Sequence, residues 1–550
     1  MGDPVTEMTG GEALVAGLKD HHIDTVFGLP GAQTYGLFDA LHRAQPNIKV
    51  IGARHEQACA YMAFGYTRST GRSSVFTVVP GPGMLNASAG LLTAFGCNEP
   101  LLMLTGQVPN AFLGKGRGHL HEMPDQLATM RGFVKWADRV NSPAEARSGV
   151  ARAFQQMLSG RQGPAALEMP WDIFTQKGKV DEGAPLPSLP PPPVDPDQIL
   201  AAAKLISASR HPMIFVGAGA FGAAEAILAL AEEIDAPVVG FRSGRGIVSN
   251  DHELGLTIAA AYNLWPETDL MIGIGTRLEA PSWRWSWQPP QLKTIRIDID
   301  PREMERLAPD VAIVGDANPA TGLLVEAVRR TGYQREKGRR QTIKDATRLA
   351  ETQIRAIQPQ MSYLDVLRQV LPRDGFVTDE LSQVGFASWY GFPVYEPRTY
   401  VTSGYMGTLG SGFPTALGVK AAHPNKAVVA ITGDGGFMFA APELATAAQY
   451  GLDVVTLIFN NSAFGNVLRD QREQFEGRTI VAKLQNPDFV RFTESFGLRA
   501  ASVNTPDRFR RELERALNEG GPQVIEIRSE GAPEVSPWRF IHPPKPEGVS

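Results

Sequence analysis

Ala427-Val428-Val429-Ala430-Ile431-Thr432 runs straight into Gly433-Asp434-Gly435-Gly436, and a second apolar run, Val454-Val455-Thr456-Leu457-Ile458-Phe459, ends on Asn460-Asn461. Apolar runs of this length, bounded by glycine and polar residues, read as strands buried on both faces of a parallel sheet. A helix-like segment separates them, so the two strands end side by side at one edge of that sheet. One carboxylate and one amide are delivered there, beside glycine backbone that a ligand can approach closely. Hard oxygen donors so placed suit a magnesium ion carrying a diphosphate. Asp434 and Asn461 are the side-chain ligand candidates and the carbonyl of Ala463 a third, with phosphate oxygens and water completing an octahedron. Gly-Asp-Gly alone is usually only a turn. The later Asn-Asn at a strand end is what favours the metal.

The same rhythm of apolar runs and helical periodicity extends over the whole chain, in three blocks. The first offers strands at Thr25–Phe27, Val50–Ile51, Ser74–Val79 and Leu101–Leu104. The second offers Pro212–Val216, Pro237–Val239, Leu270–Ile274 and Thr294–Ile297, and the third adds Gly375–Thr378 and Gln523–Ile527. Blocks one and three share size and rhythm. A proline-rich spacer, Gly183 to Asp197, separates the first two, and a polar, charged stretch from Thr331 to Gln360 separates the last two. The expected fold class is α/β, with three doubly wound parallel-sheet domains at residues 1–182, 195–332 and 360–550.

The 550 residues exceed what one core supports, and a hydrophobic fraction of 43% with 20% charged residues is that of a folded chain. With net charge −5 and no long basic run, nucleic acid is not an expected partner; Arg335-Glu336-Lys337-Gly338-Arg339-Arg340 reads as a solvated linker helix. Two cysteines, Cys59 and Cys97, argue against a disulfide framework or zinc site. Met1 to Gly11 holds no signal-like apolar core, and no run reaches membrane-spanning length. The expectation is a cytoplasmic protein with no membrane partner.

The glycine–aspartate stretch followed by Asn-Asn, in this order, resembles the signature of thiamine-diphosphate enzymes. Val26-Phe27-Gly28-Leu29-Pro30-Gly31, Arg54-His55-Glu56-Gln57, Gly81-Pro82-Gly83-Met84-Leu85-Asn86 and Gly407-Thr408-Leu409-Gly410-Ser411-Gly412-Phe413-Pro414 look like the acetolactate synthase branch of that superfamily. The resemblance covers nearly the whole chain and implies its pyrimidine-binding, central and diphosphate-binding domains. It implies that Glu56 hydrogen-bonds the aminopyrimidine ring of the coenzyme, holding or sharing a proton near neutral pH. Burial among Ala58, Ala60, Met62 and Phe64 would raise its pKa for that task. Leu409 would bend the coenzyme so that its reacting groups meet, and the Gly407 carbonyl would accept from the pyrimidine amine. Gly31, Asn86, Gly433, Gly435, Gly436, Phe464 and Gly465 are carried over as coenzyme contacts. Ser382 and Gln383 fall where relatives hold the diphosphate, although Asp379-Glu380-Leu381-Ser382-Gln383 departs from the acetolactate synthase pattern. The resemblance also implies an obligate homodimer with shared active sites, built further into a homotetramer.

The implied activity is making or breaking a carbon–carbon bond on a small-molecule 2-oxo acid, as carboligase or decarboxylase. A 2-hydroxyacyl-CoA lyase or oxalyl-CoA decarboxylase is the alternative. Acetolactate synthases place methionine and tryptophan where Asn466 and Asp470 stand, so the second-substrate pocket is expected to differ. Gly118-His119-Leu120-His121-Glu122-Met123-Pro124-Asp125 resembles the loop that reaches the reacting carbon, and His121 could relay protons there; a histidine that merely bonds a loop carbonyl is the alternative. In the middle block, Gly217-Ala218-Gly219 and Gly273-Ile274-Gly275-Thr276-Arg277 read first as tight turns. The resemblance leaves FAD or ADP open there. Ser282-Trp283-Arg284-Trp285-Ser286-Trp287 reads as packing or as a ring-stacking surface. The tail from Ser529, with Ser536-Pro537-Trp538, either closes over the active site or lies on the surface.

Overall fold

The computed structural model describes residues 5–529 and 534–546; residues 1–4 and, within the C-terminal tail, 530–533 and 547–550 lie outside the described residues. Three six-stranded parallel sheets carry the chain. In spatial order the first consists of Lys49–Gly52, Thr25–Gly28, Ser74–Val78, Leu101–Gln107, Ala165–Pro170 and Trp136–Arg139. The third consists of Tyr400–Val401, Phe376–Thr378, Val428–Gly433, Val455–Asn460, Gln523–Arg528 and Arg499–Val503. Numbered along the chain, both run 2-1-3-4-6-5, so the shared rhythm of the two outer blocks is a shared topology. The middle sheet, Gly255–Leu256, Val238–Gly240, Pro212–Val216, Leu270–Ile274, Lys293–Asp298 and Val311–Val314, runs 3-2-1-4-5-6, the doubly wound order of dinucleotide-binding folds. One antiparallel ribbon, Val5–Thr9 with Lys177–Asp181, was not expected from the sequence.

Each expected strand forms, because uninterrupted Val, Ile, Leu and Phe runs can be satisfied only between two helical layers. The helix Glu56–Thr70 shows the same logic. The His55 side chain caps it by accepting from the Gln57 N–H, and Gly71, at φ +73°, ends it. Every residue from Ala58 to Ser69 is buried, as a helix packed on all sides must be. Its partner is the equally buried helix Gly412–Ala422. A Cβ on Gly65 would overlap the Thr415 carbonyl, and one on Gly418 the Met62 carbonyl. These glycines let the two backbones touch, so the first and third blocks share a core in which Met62 and Phe64 lie with Phe413, Leu417 and Phe437.

The linker expectation after Thr331 needs correction in part. Arg335 to Gly338 are exposed as expected, but the helix that follows, Arg339–Ile354, buries Ile343, Ala350 and Ile354 and packs on helix Ile258–Leu264. Arg339 is buried and paired with Glu267, while Arg340 pairs with Asp235 and Glu253. Local basic density is neutralised by acids remote in sequence. Among the described residues no helix is long and apolar enough to cross a membrane.

Candidate active site

Gly433 pairs with Phe459 across the third sheet, so Asp434 and Asn460-Asn461 leave adjacent strands at the same level. The buried Asp434 carboxylate accepts from Asn486 Nδ2 at 2.6 Å, and the same amide reaches Asn460 Oδ1 at 3.1 Å. Asn461 Oδ1 accepts from the Ala463 N–H at 3.2 Å, and its Nδ2 donates to Glu534 Oε2 at 3.1 Å. Asp434, Asn461 and the Ala463 backbone thus converge. Burial raises the Asp434 pKa, with the Asn486 bond opposing; burial likewise raises that of Glu534. A carboxylate lifted by desolvation, next to an amide and the Ala463 backbone, is a donor set that a hard divalent cation would satisfy.

A cavity of about 220 Å³ opens on these groups. Ser382, Gln383, Leu409, Gly433, Gly435, Gly436, Phe464 and Gly465 all line it. Gly407 and Gly410 have φ of +61° and +79°, and their Cβ atoms would meet Leu381 Cδ1 at 2.7 Å and Phe439 Cβ at 2.5 Å. Only glycine fits that turn, and it presents the half-buried Leu409 to the cavity. Ser382 caps helix Gln383–Gly391, accepting from the Gly385 N–H at 3.0 Å. A Cβ on Gly435 would overlap the Phe464 ring. Bare backbone therefore forms one wall, a cradle suited to a diphosphate.

The N-terminal residues assemble separately, at the carboxyl ends of the first sheet. Asn86 Nδ2 donates to Glu56 Oε2 at 3.0 Å, and a Cβ on Gly83 would meet Glu56 Oε1 at 3.3 Å. Ala58, Ala60, Met62 and Phe64 are buried, but Glu56 itself, on the first turn, is only half-buried within one chain. His121 has φ +63° and its Nδ1 lies 2.9 Å from Gln33 Oε1; the buried Gln33 also donates to the Leu120 carbonyl at 2.6 Å. Its backbone abuts Gly81, and Gly31 packs on Val79, so His121, Gly31, Glu56 and Asn86 share one sheet edge. All residues lining the 220 Å³ cavity belong to the third block. The two half-sites are distinct places on the chain.

From the tail, Glu534 lines the cavity and holds Asn461, Ser536 bonds Arg469, and Arg469 stacks 4.6 Å from the Trp538 ring, while the Pro543 and Pro544 carbonyls accept from Ser286 and Tyr262 of the middle block. In the middle sheet a second cavity, about 260 Å³, sits where the strand order reverses and is lined by Gly219, Gly275, Thr276 and Arg277. Gly217 is held against the Gly275 carbonyl, which is the tight-turn reading. Trp285 packs edge-on against Trp265, Tyr262 and Phe215, while Trp283 remains 60% exposed. Sequence reading passed over Glu380, Asn486 and Glu534. Two acids directly after an apolar strand, at Asp379-Glu380, and a turn-forming Asn486-Pro487-Asp488 were the available signals.

The fold and the two half-sites define a thiamine pyrophosphate enzyme, and comparison with known families agrees. Three family models match in order: the N-terminal TPP binding domain at residues 8–129, the central domain at 199–324, and the C-terminal TPP binding domain at 381–527. The chain belongs to the thiamine pyrophosphate enzyme family. Within it, the chain is acetolactate synthase-like. It is 33% identical to the "probable acetolactate synthase large subunit" of Methanocaldococcus jannaschii, over 96% of this chain and 94% of the relative. Identity to acetolactate synthase isozyme 3 large subunit of Escherichia coli is 30%, over 97% of each. It is also 32% identical to a "probable 2-ketoarginine decarboxylase" of Pseudomonas aeruginosa, over 96% of this chain and 95% of that one.

Proposed function

We propose that this chain is a Mg²⁺- and thiamine diphosphate-dependent enzyme that decarboxylates a 2-oxo acid and passes the bound fragment to a proton or a carbonyl acceptor. The observation that carries this is the convergence of Asp434, Asn461 and Ala463 at two adjacent strand ends, over a cavity walled by bare glycine backbone and Leu409. Asp434, Asn461 and the Ala463 carbonyl would hold Mg²⁺; Ser382, Gln383, Gly433, Gly435, Gly436 and Gly465 would cradle the diphosphate. When bound, thiamine diphosphate supplies the nucleophilic carbon and accepts the electron pair released as carbon dioxide leaves. Leu409 fixes the coenzyme's bend, Glu56 holds a proton at the pyrimidine ring, and His121, on the loop steadied by Gln33, moves protons at the reacting end.

The substrate side is polar. Asn466 lines the cavity with Oδ1 buried and without a partner among the described residues, which favours a 2-oxo acid whose side chain offers a hydrogen-bond donor. The activity in the name of the Pseudomonas relative, on 2-ketoarginine, agrees with such a side chain.

The reading includes a homodimer in which Glu56 of one chain completes the cavity of the other. Exposed Leu85, Leu92 and Phe95 on the Asn86-bearing helix, and Met438 and Phe439 beyond Asp434, supply apolar surface for that contact. Pairing of two dimers into a tetramer, domains bounded at 1–182, 195–332 and 360–550, and a cytoplasmic setting complete the reading; the buried, unpaired Cys59 and Cys97 suit a reducing compartment. FAD or ADP would occupy the middle cavity, a matter for the visible spectrum of the purified protein.

The test is to supply the purified chain, with Mg²⁺ and thiamine diphosphate, with pyruvate, 2-oxo acids bearing apolar or guanidino side chains, and benzaldehyde as acceptor. Carbon dioxide release and product NMR are expected to report turnover of the polar 2-oxo acids. Turnover only of a 2-hydroxyacyl-CoA would overturn the proposal in favour of the lyase.

A further inference from the structure

We infer that Glu380, as the neutral carboxylic acid, donates a hydrogen bond from Oε2 to the diphosphate of the bound coenzyme. This rests on the reading of the 220 Å³ cavity as a diphosphate site. Glu380 follows the strand Phe376–Thr378, is 2% exposed, and lines that cavity. Its Oε1 accepts the Gly410 N–H, from the turn that presents Leu409, and its Oε2 has no partner among the described residues. A Cβ on Gly436 would overlap this carboxyl. The acid thus fills the side-chain space of the glycine cradle, and a functional group from a different strand stands in for the one Gly436 lacks.

No cation faces it. Asp379, its neighbour, is a second buried carboxyl, committed to Trp389 and Tyr400. From helix Glu56–Thr70 comes the Tyr61 phenol. The Gly407–Gly410 turn and the Asp434–Phe437 turn present backbone, and Asp434 itself is bonded to Asn486. Ionising Glu380 in this setting would bury an uncompensated charge, with Asp379 adding repulsion. Burial accordingly pushes its pKa up to about 8. The neutral acid has one O–H donor. With Oε1 engaged as acceptor, the proton resides on Oε2, and a donor without an acceptor in a wall shaped for phosphate finds one in an anionic oxygen. Ionised, the same group would repel it.

Coenzyme binding should therefore take up one proton above pH 8. Calorimetric titration of the metal-replete chain with thiamine diphosphate, from pH 6.5 to 9.5, should show a Kd that is flat below about pH 8 and rises about tenfold per pH unit above it. The terminal phosphate ionises near pH 6, outside this window. Glu380→Gln keeps a donor at every pH, so its affinity at pH 7 should stay within a few-fold of wild type and the alkaline rise should vanish. Glu380→Val should weaken binding at pH 7 by roughly 10- to 100-fold. Should the valine variant fail to fold by circular dichroism, the glutamine pH profile alone decides. A glutamine variant with the wild-type alkaline rise, or a folded valine variant that binds as tightly as wild type, would overturn the inference and leave the site reading intact. A wild-type chain that takes up no coenzyme would overturn both.

Discussion

Glu56 sits on the first turn of its helix with Oε2 engaged by Asn86, a position that leaves its carboxyl facing outward from the first sheet while the residues behind it seal the core. Replacing it by glutamine preserves shape and the Asn86 contact but removes the exchangeable proton. Glu56→Gln should lower kcat by about 10²-fold or more while calorimetry finds coenzyme affinity nearly unchanged; full activity would remove Glu56 from the mechanism. The acids of the other half-site bear on stability. Burial holds Glu380, Asp379, Asp434 and Glu534 above the ordinary carboxylate range. Where the folded chain keeps a proton that the unfolded chain releases, the stabilisation is complete below the unfolded pKa, 4.5 for Glu380, and is lost as pH rises through the folded value of about 8. The metal-free, coenzyme-free chain should accordingly lose stability from roughly pH 5 to 8, by on the order of a few kcal/mol from Glu380 alone. Denaturant unfolding of wild type against Glu380→Gln measures that share, and equal pH slopes would refute it. Asp434 and Asn461 were legible because each ends an apolar strand. Asn486 and Glu534 were not, since 52 and 73 residues separate them from the groups they hold, and sequence order carries no trace of that contact.

At the scale of elements, the strands that announce themselves are those buried on both faces, such as Val428–Gly433 and Leu101–Gln107. Among those that escape notice, Ala165–Pro170 is wholly buried but its apolar run is broken by Glu168 and Pro170, and others are short or partly exposed. Gly255–Leu256 and Tyr400–Val401 are two residues each at sheet edges, and Arg499–Val503 buries only Val503. An edge strand needs one neighbour and leaves no long apolar run to read. Arg339 is buried for a related reason: its charge predicts solvent, but Glu267, remote in sequence, meets it. The contact between helices Glu56–Thr70 and Gly412–Ala422 depends on glycine at both crossing points. Gly418→Ala puts a methyl into the Met62 carbonyl, backbone that cannot swing away. It should destabilise by about 1–3 kcal/mol, read as a drop in Tm, and because these helices join the Glu56 block to the Leu409 block, coenzyme affinity should fall with it. An unchanged Tm would mean the two helices separate more easily than their packing implies.

Across the whole molecule, one chain carries both halves of the proposed catalytic site but not in one place. The cavity with Asp434 is lined by the third block alone, while Glu56, Asn86 and His121 occupy the edge of the first sheet. The identical 2-1-3-4-6-5 topology of these two sheets makes a two-fold arrangement natural, each first block meeting the partner's third block with its carboxyl strand ends facing across the interface. That arrangement has a quantitative consequence. Glu56→Gln and Asp434→Ala should each be inactive as homodimers. In a heterodimer of the two, one site combines both lesions, and the other combines an intact Glu56 from one chain with an intact Asp434 from its partner. Random exchange makes half the dimers mixed, and half of their sites are whole, so co-refolded or co-expressed variants should recover about a quarter of wild-type activity. If Glu56 instead served the Asp434 of its own chain, every site would carry a lesion and mixing would restore nothing. Activity no greater than the sum of the two variants, with exchange verified by native mass spectrometry, would therefore reject the shared-site dimer and return the question to a closure within the single chain.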